Sequence, residues 1–107
     1  MSRTATAALM TLGSHIEVAR RTLGWSIDDT AARLGVNPRT VRAVERGTPT
    51  VAVGTTFAYA DLVGVRLFGL DADELARARR VGADTLALLP ARTPRRVRTA
   101  LDDEPGF

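Results

Sequence analysis

The stretch GWSIDDTAARLGVNPRTVRAVERG, residues 24–47, constrains the backbone more tightly than any other. Ser26 followed three residues later by Asp29 is a capping-box pattern, in which the hydroxyl caps the first turn and the carboxylate reaches back. Asp28 and Asp29 also lie at the positive end of the helix dipole. Ile27, Ala31 and Leu34 recur at helical spacing, so a helix starts here with one apolar stripe. Gly35 is placed to stop it in the left-handed conformation. Only Val36 intervenes before Asn37, a good N-cap, and Pro38, which suits the first helical position. A further helix therefore begins almost at once and closes at Gly47. Two short helices joined by so tight a turn must cross at a steep angle.

The rest of the chain carries helix punctuation and few strand signals. A preceding helix is expected from residue 9 or 14 to residue 23, with Ile16, Ala19 and Leu23 on one face and Gly24 after it. The stretch ATAALMTL reads as a frayed N-terminus leading into that helix rather than as a signal peptide. A fourth helix is expected over 53–63, burying Val53, Phe57, Ala60 and Val63. Asp71 and Glu74 open a fifth, over about 71–89. It carries Leu75, Ala78, Gly82, Leu86 and Leu89 on one side, with Arg77, Arg79 and Arg80 largely on the other. Pro90 ends it. The expected architecture is all-α: a five-helix domain over residues 1–89, then an irregular, flexible tail over 90–107 that is first Arg-rich and then acidic.

Charge placement narrows what such a domain does. All fifteen basic residues are arginine, and the net charge is only +3, so position matters more than total. On a helical projection Arg39, Ala43 and Arg46 fall together with Arg42 at their edge, while Val41 and Val44 face the other way. The helix thus buries its valines and turns three cations outward. Glu45 falls on the inner side, where a carboxylate needs a partner. The second helix of a helix-turn-helix enters the major groove of DNA, and arginine bonds guanine bidentately or takes phosphate. The expected DNA-contacting residues are Ser26, Asn37, Arg39, Thr40, Arg42, Ala43, Arg46 and Thr48. Arg39 and Arg42 are expected to read bases, Thr40 and Ala43 to meet a phosphate or a thymine methyl, and Arg46 and Thr48 to meet phosphates. Ser26 offers a phosphate contact at a capped helix start.

The same residues resemble the helix-turn-helix of Cro/repressor-type (Xre-type) transcription regulators. Ala31, Gly35, Val41 and Val44 match that family's small, turn and core positions, and ERG at 45–47 matches its closing signature. The resemblance covers about residues 11–66. Thr30 stands where the family usually has a larger aliphatic residue, and Ile27 where many members carry a DNA-touching Gln. It implies a Cro/repressor-like fold and a structural ion pair between Arg20 and Glu45. It also implies a homodimer on inverted half-sites of an operator about 34 Å apart. The apolar side of the fourth or fifth helix either forms that dimer interface or closes the monomer core.

A second resemblance covers VAVGTTFAYADLVGVRLFGLDADELARAR with the tail. It is similar to Xre-type antitoxins encoded beside HipA-type kinase toxins, which implies an autoregulating repressor that also binds a toxin. In the tail, Arg92, Arg95, Arg96 and Arg98 can follow phosphates or meet an acidic partner, and Phe107 can anchor in an apolar pocket; a solvated tail without a partner is the alternative. A stand-alone or phage-type regulator without a toxin is the nearest competing reading, and a helical protein-interaction module one of another class. No enzymatic activity is expected, since no nucleophile constellation is visible and His15, the only histidine, reads as an ordinary polar position. No cofactor or metal is expected, because cysteine is absent and no His–carboxylate metal spacing occurs. No run reaches about 18 apolar residues, so the expected location is the cytoplasm, with no membrane contact.

Overall fold

Glycine-terminated helices set the architecture. The computed structural model describes residues 1–91, with helices α1 (Arg3–Thr22), α2 (Ile27–Leu34), α3 (Pro38–Glu45), α4 (Val53–Val63) and α5 (Ala72–Ala87), and no strand among the described residues. The first four helices each run into a glycine at positive φ: Gly24, Gly35, Gly47 and Gly64. After α2, the Val36 N–H donates to the Ala31 carbonyl and the Gly35 N–H to that of Ala32. After α3, Thr48 donates to Ala43 and Gly47 to Val44. These paired bonds are the Schellman arrangement, which satisfies carbonyls that a helix end would otherwise leave unbonded.

Helix starts follow their caps. Both capping-box hydrogen bonds form at Ser26 and Asp29 and again at Asp71 and Glu74. The Asn37 side chain accepts the Arg39 N–H, with Pro38 in the first turn. Helix α1 begins well before the expected residue 9 or 14. The Ser2 Oγ accepts the Ala5 N–H at 3.0 Å, and the following alanines are the best helix formers, so the N-terminal stretch is a capped helix and not a frayed lead-in.

The chain divides into two units, Met1–Gly69 and Leu70–Phe107. In the first, α1 packs on α3 and α4, and α2 packs on α3 and α4. Ile16, Ala31, Val41, Val44, Tyr59, Ala60 and Val63 form the core. Two expected faces are shifted. Leu23 caps the end of α1 and is exposed, so the inner stripe of α1 runs through Leu12, Gly13, Ile16, Ala19 and Arg20 instead. On α4, Val53 is 65% exposed and Phe57 only half-buried, whereas Thr56, Tyr59, Ala60 and Val63 are buried. Those four recur at i, i+3, i+4 and i+7, the spacing of a helix face. Buried Thr30 meets its polar need locally, its Oγ1 donating to the Ser26 carbonyl at 2.8 Å. In the second unit, α5 ends at Ala87 with Leu88 as its cap, two residues short of the expected 89, and none of its residues is buried.

Candidate nucleic-acid interface

The arginine face of α3 is fixed from behind. Val41 and Val44 hold the inner side of the helix in the core. Arg20 on α1 donates from Nε to Glu45 Oε2 at 2.6 Å and from Nη2 to Oε1 at 3.2 Å, and from Nη1 to the Trp25 carbonyl at 2.8 Å. The Tyr59 hydroxyl on α4 donates to the same Glu45 carboxylate. One carboxylate therefore joins α1, α3 and α4, and one guanidinium adds the segment entering α2. The Arg20 and Glu45 side chains are only 9% and 7% exposed. The hydrogen bond to Glu45 raises the Arg20 pKa further above its usual value. Burial first, and then the bond to Glu45, pushes the Tyr59 phenol well above its usual range. A pair this dry gives little net stability by itself, yet losing one member leaves an uncompensated buried charge.

Two close approaches finish the anchoring. A Cβ on Gly13 would stand 2.5 Å from the Glu45 carbonyl oxygen. A Cβ on Gly47 would stand 2.8 Å from backbone atoms of Leu9 and Met10, and Gly47 is also at φ +74°. Helix α1 thus lies directly against the C-terminal end of α3, which only glycine at both positions permits.

The outer side of α3 is cationic. Arg39, Arg42 and Arg46 are exposed, with Thr40 and Ala43 half-buried beside them. Among the described residues no ion pair engages these three arginines; the first unit's ion pairs there are Arg20–Glu45 and Arg21–Glu17, the latter at 2.6 Å. Residues 1–69 hold eight Arg against five Asp and Glu, so drawing Glu45 inward leaves α3 with no acid on its outward face. Asn37 is exposed at the start of the helix, its Oδ1 accepting the Arg39 N–H at 2.8 Å, which leaves its amide NH2 to donate. Thr48, half-buried, lies just past the Gly47 turn. Ser26 is exposed, and its Oγ accepts the Asp29 N–H at 3.0 Å, leaving the hydroxyl proton to give.

Several contributors carry no local signal in the sequence. The stripe through Val53 and Phe57 is the more apolar one by sequence, and nothing near Tyr59 in the chain marks it as the partner of a distant carboxylate, although it lies on the buried face with Thr56, Ala60 and Val63. Gly13 lacks a turn context, and no local pattern marks a close helix crossing. Arg33 on α2 lies over the Trp25 ring, its Cζ 4.1 Å from the centroid. The tail residues Arg92, Arg95, Arg96, Arg98 and Phe107 lie outside the described residues.

No described helix is long and apolar enough to cross a membrane. Among the described residues no group of His, Cys, Asp and Glu side chains could hold a metal ion. A family model described as helix-turn-helix matches residues 16–70, just over half of the chain. No curated protein and no solved structure matches the chain. The matched segment runs from the buried Ile16 through α2, the Gly35 turn, α3 and α4, and so contains Arg20, Glu45, Tyr59 and the whole arginine face. The chain belongs to the helix-turn-helix family of Cro/repressor-type, Xre-like DNA-binding transcription regulators.

Proposed function

We propose that the protein is a sequence-specific repressor that lays α3 in the major groove of an inverted-repeat operator, as a homodimer. The observation that carries this reading is the sorting of charge on α3 and its cap: three arginines outward, in no ion pair among the described residues, and the single acid inward. In this account Arg39 and Arg42 read base edges, Thr40 and Ala43 meet a thymine methyl or phosphate, and Arg46, Thr48, Asn37 and Ser26 fix the register on the backbone. A gel shift with the DNA upstream of the protein's own coding sequence tests it. A retained band that survives nonspecific competitor is expected, and failure to bind any duplex more tightly than random DNA would overturn it.

The reading extends to an antitoxin that represses its own operon, with residues 1–89 serving DNA and 90–107 serving a kinase toxin of HipA type. The order of segments after α3 supports it: a short apolar helix, a capped Arg-bearing helix, then a proline-arginine stretch and an acidic end with Phe107. Co-expression with a neighbouring kinase is expected to co-purify the two, and a chain ending at Pro90 to lose the kinase while keeping DNA. Full kinase binding by the shortened chain would remove the tail from the account.

A further inference from the structure

We propose that Arg33 is a further phosphate-contacting residue, held for that role on the face of Trp25. The inference rests on the reading that α3 occupies the major groove, because the preceding helix of such a unit crosses the sugar-phosphate backbone. Helix α2 is poorly suited to that crossing along most of its surface. Its exposed charges include Asp28 and Asp29, and Arg33 is its only cation. Past the Ser26 cap, Arg33 is the one side chain of α2 that presents a positive charge to a phosphate.

Placement supports the assignment. Ser26 and Arg33 are seven residues apart, two helical turns, and so lie on one edge of α2. Arg33 is also four residues from Asp29, the spacing at which a helical ion pair normally forms. It makes no such pair. Asp29 is engaged in the cap instead, its carboxylate accepting the Ser26 N–H at 3.4 Å. The Arg33 guanidinium reaches back over Trp25, the residue next to Ser26. The Arg33 side chain is thereby held back against the residue that precedes the cap of α2, rather than left free at the end of the helix. Stacking on an aromatic ring leaves the N–H groups of a guanidinium available, and none of those of Arg33 is bonded to a protein acceptor among the described residues. The arrangement is a pre-positioned donor fork suited to the oxygens of one phosphate.

The test is a salt titration of DNA binding. The probes are a duplex selected by the wild-type protein from a random library and a random duplex of equal length. Arg33→Gln is expected to lower the slope of log K against log salt by about one per protomer, and affinity by about eightfold per protomer at 0.1 M salt, on both duplexes alike. Trp25→Leu is expected to weaken binding when Arg33 is present and to add nothing to Arg33→Gln, the signature of a residue acting through its neighbour. Trp25→Phe, with a smaller platform, replaces it should the helical signal be lost. An unchanged slope in Arg33→Gln, or a Trp25 effect of equal size with and without Arg33, overturns the proposal. Arg39→Ala separates the two levels: if it too is silent, the groove reading has failed, whereas a silent Arg33→Gln beside a weakened Arg39→Ala removes Arg33 alone.

Discussion

Helix α3 with its cap residue Arg46, and helix α5, each bring three arginines to the protein and use them differently. Around α3, Arg39, Arg42 and Arg46 face outward, while two valines and Glu45 face the core and Arg20. Helix α5 carries Arg77, Arg79 and Arg80 with Asp73, Glu74 and Asp84, three of each sign, and buries none of its residues. It is well capped but has no buried residue to fix which side its cations show. Arginine count alone therefore does not make an interface. A helix becomes a reading head when its acid is withdrawn and its inner face is locked, so that the cationic side has one orientation at little entropic cost on binding.

The comparison breaks most severely at Glu45. Glu45→Ala strands Arg20 in a dry site and is expected to cost about 3–5 kcal/mol, measurable by chemical denaturation; an unchanged unfolding midpoint would remove the anchor. Gly13→Ala forces α1 away from the end of α3 and is expected to cost about 1–3 kcal/mol, with DNA affinity falling along with stability. Tyr59 supplies a pH test. Its folded pKa lies above the ordinary value of 10.0, so its contribution is intact below that pH. Above it, the unfolded chain loses the phenolic proton while the native chain keeps it. Stability is expected to fall above pH 10 with a slope of about 1.4 kcal/mol per pH unit from this group, and Tyr59→Phe is expected to remove that part of the slope. The smallest effect belongs to α5: Arg79→Gln is expected to change stability by less than about 0.5 kcal/mol, and a large loss there would erase the contrast between the two helices.

Much of this arrangement was legible locally. Capping boxes, glycine stops and the Asn37–Pro38 start act within a few residues, so they read directly from the chain. The outward arginines followed from period alone, because Val41 and Val44 left one side for the core. What did not read depends on partners distant in sequence. Tyr59 looks like an ordinary polar aromatic until α4 is laid beside Glu45, 14 residues earlier. Gly13 has no turn to explain it until α3 crosses α1. The early start of α1 is obscured for another reason: its first turns have a weak apolar stripe, although Ser2 caps them and Ala5, Ala7 and Ala8 favour helix. The Arg20–Glu45 pair was implied by family likeness and by the inward placement of a carboxylate, and the structure shows its geometry.

The central claim is that the outer face of α3 reads DNA sequence. It is tested most directly by selecting duplexes from a randomised library with the wild-type protein and with Arg39→Ala. The account predicts that the wild type enriches an inverted repeat, and that Arg39→Ala enriches the same repeat with preference lost at one base pair per half-site, worth about 1–3 kcal/mol there. Recovery of an identical motif, with every position as sharply preferred as before, would contradict it.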